Sequence, residues 1–162
     1  MSLKGKRGFL LLAAAIVGLD QLSKYLVRDA LHLYATRTVI PGFCNLTHIR
    51  NPGAVWGFFS QHSDGVVPKL ITLLALAAIG GVVYYFIRIN ADCRLELTAF
   101  SFILGGAFGN IIDRLARGYV TDFIHLYVKN LSWPIFNVSD SFITVGVLLL
   151  TWAIWRGKCT QF

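Results

Sequence analysis

The sequence has little charge, since Asp, Glu, Lys and Arg together make up 14% of its 162 residues. A soluble domain typically contains about 25% of these residues. The hydrophobic fraction is 56%, and the apolar residues fall in several long runs. These properties argue against an ordinary soluble domain and predict an integral membrane protein.

Cysteine is also scarce, and several catalytic motifs are missing. The three cysteines, Cys44, Cys93 and Cys159, have no CxxC spacing. Neither a disulfide framework nor a zinc site is therefore predicted, and free thiols are expected. The sequence has no GxSxG, no HExxH and no glycine-rich phosphate loop after a strand. The corresponding serine hydrolases, zinc proteases and P-loop enzymes are thus disfavoured.

The formal charge of +7 invites a nucleic-acid interpretation, but the distribution of basic residues favours a membrane topology. Seven of the fifteen basic residues lie in three short segments: Lys4, Lys6, Arg7, Arg88, Arg94, Arg156 and Lys158. Short cytoplasmic segments of membrane proteins are enriched in Lys and Arg. A chain with four spans would have all three basic segments on the cytoplasmic side, so both termini are expected in the cytoplasm. This topology accounts for the basic residues, and no nucleic-acid partner is predicted.

The apolar runs predict one membrane domain over residues 1–162, with four transmembrane helices. The predicted spans cover about 8–27, 67–87, 95–112 and 139–155, joined outside by periplasmic loops at about 28–66 and 115–138. The first span resembles a signal peptide, but "DQLSK" stands where a cleavage site would be expected, so a retained helix is predicted.

Turn residues and small residues predict two further features of this all-α membrane fold. Pro41-Gly42 and Pro52-Gly53 interrupt β-branched and aromatic runs in the first outer loop. We therefore expect a small periplasmic β-sheet between helices one and two. Gly105, Gly106 and Gly109 in the third span are predicted to be helix-packing positions.

Polar side chains gather at one end of the predicted spans. They lie at the outer ends of spans one, three and four or in the outer loops: Asp20, Lys24, Asn51, Asn110, Asp113, Arg114, Asp122, Asn137 and Asp140. Ionisable residues inside membrane segments are rare and usually functional. The pattern predicts a functional site near the outer face of the membrane.

Some of these residues also have a structural explanation. Asp20 and Lys24 are four residues apart on a helix and can form an ion pair. Asn137 can cap the fourth helix, and Asp140 complements the positive end of its dipole. Structural roles therefore remain open for both pairs.

Asp113, Asp122 and Asp140 supply more carboxylates than structural ion pairing alone would need. Two carboxyl groups that share a proton can hydrolyse an amide, because the ionised group takes a proton from water while the protonated group polarises the substrate carbonyl. The sequence therefore indicates an aspartic hydrolase. Position along the spans leaves open which two carboxylates form the pair.

Two competing chemistries have weaker support. Asp122 and His125 are three residues apart and suggest a metal-ligand pair, but this spacing is common by chance. Ser23 next to Lys24 suggests a Ser–Lys dyad, but adjacent side chains on a helix diverge. We therefore predict neither a catalytic metal nor a Ser–Lys nucleophile.

Five short blocks stand in a defined order along the chain: "DQLSK" at 20–24, "NPGAVWG" at 51–57, "GGAFGNIIDR" at 105–114, "GYVTDF" at 118–123 and "FNVSDS" at 136–141. Together they resemble the blocks of the bacterial lipoprotein signal peptidases, also called signal peptidase II. Each block alone is a weak signal, but five in order are highly specific. Ser139 and Val55 stand where the family usually has Ala.

The resemblance implies an aspartic endopeptidase of the bacterial inner membrane that cuts prolipoproteins just before a diacylglyceryl-modified cysteine. It implies that Asp122 and Asp140 form the catalytic pair, with Asp113 in support. The remaining matched residues are expected to shape the site and hold substrate backbone: Asp20, Lys24, Asn51, Asn110, Arg114 and Asn137. It implies no metal or organic cofactor.

The partners expected from the resemblance are the lipid-modified prolipoprotein and membrane lipids, and a monomer is expected. A proton-coupled transporter or channel is the alternative from another class, because buried Asp, Lys and Arg also serve proton relays. A purely structural subunit leaves the carboxylates unexplained.

Overall fold

A computed structural model describes residues 3–53, 66–157 and Cys159. A 3-10 turn at Leu3–Lys6 leads into four long helices and four strands. In chain order these are α1 (Arg7–Ala30), β1 (Thr36–Ile40), β2 (Cys44–Asn51), α2 (Val66–Arg88), α3 (Arg94–Arg117), β3 (Val120–Val128), β4 (Leu131–Ser132) and α4 (Val138–Arg156).

All four helices are long and apolar enough to cross a membrane. A helix of 24 residues, such as α1 or α3, extends about 36 Å and exceeds the roughly 30 Å hydrocarbon core. In its most apolar window α3 has 61% of its residues buried, against at most 22% in the other helices. Helix α3 is therefore the central element, and the other helices expose much of their apolar surface.

Glycines allow α3 to approach its neighbours closely, as the sequence predicted. A Cβ atom on Gly105 would lie 2.8 Å from Ile16 Cβ of α1. One on Gly106 would lie 2.8 Å from Ile143 Cγ1 of α4, and Gly109 similarly faces Asp20 and α4. Small residues let membrane helices pack at short separation. The packing role predicted for these three glycines is thus confirmed.

Helix α2 packs against the first half of α3 through an apolar cluster. Its buried members are Ile79, Phe86, Leu97, Phe100, Leu104 and Ile111. Helix α2 thus closes one side of the bundle through apolar side chains, and van der Waals packing is a main attraction between helices in lipid.

The sheet is antiparallel, with strand order β1-β2-β3-β4. The sequence placed it between the first two helices, but β3 and β4 come from the connection between α3 and α4. Strand β2 pairs with β3 in a register that sets Ile49 opposite Asp122 and Asn51 opposite Val120. The sheet therefore joins the two long connections and brings the end of β2 beside the start of β3.

The prediction that all three cysteines are free thiols is wrong for two of them. Cys93 and Cys159 form a disulfide, with Cα atoms 5.8 Å apart, whereas Cys44 remains a free cysteine. That Cα separation falls in the usual range for disulfides. The α2–α3 turn and the segment after α4 lie at the same end of the bundle, and no local sequence spacing indicates such a pairing.

Replacing Gly106 with Ala should destabilise the fold. The added methyl would meet Ile143 and the Ser139 carbonyl, and overpacking of this kind costs typically about 1–3 kcal/mol. Thermal unfolding in detergent micelles measures the loss. Gly80→Ala is the matched control, because nothing among the described residues lies within 4 Å of that position. An equal or higher melting temperature for Gly106→Ala than for Gly80→Ala would contradict the close α3–α4 contact.

Candidate active site

Asp122 is delivered to the bundle by the first residues of β3. Helix α3 ends at Gly118, whose φ of 76° gives the left-handed conformation that glycine adopts without strain. The chain reverses there, and the Asp122 side chain is 3% exposed. Its two oxygens accept hydrogen bonds from the Asn51 amide at 2.8 Å and the Asn137 amide at 2.6 Å. Both oxygens are therefore held in defined positions.

Asn137 links Asp122 to Asp140. As the cap of α4, its side-chain oxygen accepts from the Asp140 backbone N–H at 3.0 Å, while its own N–H donates to the Asp140 carboxylate at 3.1 Å. This reciprocal arrangement is a capping box. With its oxygen engaged, the Asn137 amide nitrogen faces Asp122. The capping role predicted for Asn137 is confirmed, and it also joins the two carboxylates.

Asp140 lines a largely apolar cavity. Its second interaction is with the Asn110 amide, which donates at 2.8 Å. A cavity of about 330 Å³ between α2, α3 and α4 is lined by Asp140, Asn110 and Arg114 together with apolar side chains. Arg114 Nε is buried and has no hydrogen-bond partner among the described residues. The cavity thus combines an apolar wall with one carboxylate and one available guanidinium donor.

A buried ion cluster supports this arrangement from α1. Lys24 Nζ lies 2.8 Å from Asp20, 3.4 Å from Asp113 and 2.9 Å from the Asn110 side-chain oxygen. Lys24, Asp20 and Asp113 are all 0% exposed. A lysine ammonium only donates, so it fixes the Asn110 oxygen toward itself and leaves the Asn110 amide for Asp140. The predicted Asp20–Lys24 pair is confirmed.

Asp113 holds the start of β3 through its hydrogen bonds. Its oxygens accept from Arg117 at 2.8 Å and from the Thr121 backbone N–H at 3.0 Å. Arg28 donates to the Thr121 hydroxyl at 3.1 Å. Asp113 therefore anchors the residue immediately before Asp122, which is a positioning role.

Burial dominates the electrostatics of Asp122. Desolvation raises the pKa of this carboxyl from 3.8 to about 6, and the neighbouring Asp140 charge adds to the increase, whereas the Asn51 and Asn137 hydrogen bonds oppose it. A carboxyl with this pKa exchanges its proton near neutral pH, where general acids and bases are most effective. Asp122 is thus suited to proton transfer.

All nine predicted site residues meet in one cluster, and the two competing chemistries find no support in it. Asp122 bonds to the asparagines, whereas the His125 ring lies 2.8 Å from the Ser132 hydroxyl. Residues three apart on a strand face opposite sides. Ser23 donates to the Asp20 carbonyl at 2.8 Å. Neither the Asp122–His125 pair nor the Ser23–Lys24 dyad is assembled.

Sequence reasoning missed several residues that complete the cluster. Gln21 donates to Asp20 at 3.2 Å and to the Gly109 carbonyl at 3.0 Å, and the Ser139 backbone N–H donates to Asp20 at 2.9 Å. Gln21 lies inside the "DQLSK" block and was detectable there. The Ser139 contact uses its backbone and carries no side-chain signal. Residues 54–57 of the "NPGAVWG" block lie outside the described residues.

Four helices able to cross a membrane, with a buried carboxylate, Asp122, joined to a half-buried one, Asp140, indicate a multi-pass membrane protein with an enzyme-like site. The family model for signal peptidase (SPase) II matches residues 12–156. The chain is 39% identical to the lipoprotein signal peptidase of Haemophilus influenzae, over 93% of this chain and 86% of that one. It is 38% identical to that of Syntrophotalea carbinolica, over 96% of each.

A solved bacterial membrane enzyme has the same fold, with a TM-score of 0.77 and 33% identity over 91% of this chain and 92% of that one. The chain therefore belongs to the signal peptidase II family, a family of proteases.

The stability of the protein relative to Asp122→Asn should fall as pH rises from about 4 to about 6. The pKa of Asp122 is about 6 in the folded protein against 3.8 for an ordinary Asp, so the folded state binds more protons than the unfolded state in this window. The difference between the two proteins should change by roughly 3 kcal/mol. Thermal unfolding in detergent over this pH range measures it. Exposed Asp29→Asn is the control, and parallel curves for the wild-type and Asp122→Asn proteins would refute the raised pKa.

Replacing Lys24 with Met should destabilise the fold by about 3–5 kcal/mol, because it leaves Asp20 and Asp113 buried without their cation. Thermal unfolding in detergent checks this value. Lys69→Met, at an exposed position near the start of α2, is the control and should change the melting temperature little. A comparable shift for both variants would contradict the special role of the Lys24 cluster.

Proposed function

We propose that this protein is an aspartic endopeptidase that removes the signal peptide from diacylglyceryl-modified prolipoproteins, just before the lipidated cysteine. Membership of the signal peptidase II family and relatives named lipoprotein signal peptidase support this substrate class. The single observation that carries the aspartic mechanism is that Asn137 hydrogen-bonds to both the buried Asp122 and the half-buried Asp140.

In the proposed mechanism Asp122 and Asp140 share one proton and hold a water molecule between them. The ionised carboxylate takes a proton from the water as its oxygen adds to the scissile carbonyl carbon, and the protonated carboxyl donates to the carbonyl oxygen. Collapse of this intermediate breaks the C–N bond, and the leaving amine receives a proton from the pair. The pair titrates as a unit, so the proton belongs to neither residue alone.

The surrounding amides keep the pair in a productive geometry. Asn51 and Asn137 hold the two oxygens of Asp122, and Asn110 and the Asn137 backbone hold those of Asp140. Preorganised hydrogen bonds avoid reorganisation during the reaction. Because Lys24 orients Asn110 and Asp113 anchors the start of β3, we assign both residues to positioning.

The cavity beside Asp140 supports binding of an extended, lipid-anchored peptide. Its apolar walls come from α2, α3 and α4 and suit an apolar substrate segment. The Arg114 Nε has no partner among the described residues, so it is available to donate to a substrate backbone carbonyl, the role expected from the family resemblance. A scissile bond next to a lipidated residue lies near the membrane surface, and the candidate site lies at the ends of the helices.

We place the protein in the bacterial inner membrane as a monomer, with both termini in the cytoplasm and the sheet and site near the periplasmic face. The concentration of Lys and Arg in the terminal segments and in the α2–α3 turn supports this orientation. Site-specific labelling of single cysteines in intact cells tests it, and accessible termini on the periplasmic side would reverse the assignment.

Asp122→Asn and Asp140→Asn should each lower the cleavage rate of a lipidated precursor by at least about 10²–10⁴-fold, because each removes one member of the acid–base pair. Gel-based cleavage assays in micelles measure this loss, with matching elution profiles to verify folding. Exposed Asp29→Asn should retain full activity. Full activity in either dyad variant would refute the assignment.

The same cleavage assay tests whether the protein requires a lipidated precursor. A precursor with diacylglyceryl-modified cysteine should be cleaved and the same precursor without the lipid should not. Equal cleavage of both would overturn the proposed specificity while leaving the aspartic mechanism intact. Proton flux in liposomes by a protein without peptidase activity would favour the transporter alternative.

A further inference from the structure

The opposite end of the bundle holds a second cluster of chemically reactive side chains. Cys93 caps the start of α3, Glu96 lies one turn further, and Cys159 follows α4. The two sulfurs and a Glu96 oxygen all lie within 4.8 Å of one another. Cys93 and Asn110 are seventeen residues apart on α3, which is about 25 Å along its axis. This cluster is therefore separate from the carboxylate site.

The burial of Glu96 in this cluster is not explained by any contact with another described residue. It is 4% exposed, and no residue in the described part of the chain donates a hydrogen bond to its carboxylate or forms an ion pair with it. Buried charges are normally paired or coordinate metals. Glu96 and Cys159 both line a cavity of about 440 Å³, so the carboxylate has room for a ligand beside it.

We propose that the reduced thiols of Cys93 and Cys159, together with the Glu96 carboxylate, bind a thiophilic divalent cation of the Zn²⁺ type. Zn–S bonds of about 2.3 Å and Zn–O bonds of about 2.0–2.2 Å place tetrahedral ligands roughly 3.5–3.8 Å apart. The observed grouping of the three ligand atoms fits this spacing once the disulfide is opened. Water from the adjoining cavity supplies the fourth ligand.

The disulfide and the metal complex are alternative states of the same residues. Two molecules of a small thiol reduce the Cys93–Cys159 bond to two thiols and are themselves oxidised to one disulfide. The cation then displaces one proton from each thiol. Two thiolates, one carboxylate and a divalent cation leave one net negative charge, which the Arg88 guanidinium on the same cavity wall offsets. In either state the segment after α4 is tied to the start of α3.

Cobalt(II) provides a spectroscopic probe for this site. The purified full-length protein in detergent is divided, one half reduced with a phosphine and the other left oxidised, and both are titrated with Co²⁺. The reduced protein should develop thiolate-to-cobalt charge-transfer bands that saturate with single-site stoichiometry and disappear when Zn²⁺ is added. The oxidised protein should develop none. Bands of equal strength in both samples, or cobalt binding without charge-transfer bands, would overturn the proposal as adventitious binding.

Substitutions of the three proposed ligands test whether each of them binds the metal. Cys93→Ser and Cys159→Ser should abolish the charge-transfer bands, whereas Cys44→Ser, the matched control at the free cysteine in β2, should keep them. Glu96→Gln should weaken Co²⁺ affinity by at least about tenfold, because even an outer-shell change costs about 10–100-fold. Unchanged affinity in Glu96→Gln, or bands that persist in Cys93→Ser, would refute the assigned ligand set.

Cysteine alkylation of the wild-type protein tests the same site without substitutions, so it remains informative if a variant fails to fold. Reduced protein is alkylated with and without Zn²⁺, and the modified cysteines are located by mass spectrometry. Zn²⁺ should slow modification of Cys93 and Cys159 and leave Cys44 unaffected. Equal protection of all three cysteines, or of none, would contradict the site.

Discussion

The buried ammonium of Lys24 is the group on which the rest of the site depends. It pairs with Asp20 on its own helix and with Asp113 on α3, and it fixes the orientation of Asn110. Asp20 in turn accepts from the Ser139 backbone of α4. One cation therefore connects three helices. Separating a buried ion pair leaves an uncompensated buried charge, which is strongly destabilising, so helix packings that part Lys24 from Asp20 and Asp113 are disfavoured.

Many of these features could be predicted from the sequence. Lipid requires long apolar helices and makes buried charges rare, and both constraints are visible as patterns of residue types along the chain. Apolar runs indicated the four helices, and the gathering of polar residues at one level indicated where the site would lie. The pairing of Asp20 with Lys24 and the cap at Asn137 followed from local spacing, since both are contacts within one helix or its first turn. The glycines of α3 were recognisable by their position in an apolar helix.

Contacts between distant segments could not be predicted in the same way. The pairing of β2 with β3, which sets Asn51 beside Asp122, depends on register between strands about 70 residues apart. The role of Asp113 as an anchor for Thr121 depends on the turn at Gly118. The Cys93–Cys159 bond joins residues 66 apart in sequence. Position along the spans left open which of Asp113, Asp122 and Asp140 form a pair, whereas the path of β3 brings Asp122 to the Asn137 amide that also caps Asp140.

Helix α4 contributes to the site and is synthesised after the other three helices, and this order affects how the site forms. Chains emerge and fold from the N-terminus during synthesis, so α1 and α3 can join through Lys24 and Asp113 before α4 exists. Asp140, the amide of Asn137 and the Ser139 N–H that donates to Asp20 all arrive with α4. A nascent chain that ends before α4 therefore contains the ion-pairing residues Asp20, Lys24 and Asp113 but only Asp122 of the two carboxylates that Asn137 joins. The order of synthesis alone therefore brings Asp140 to the site only once α4 has been made.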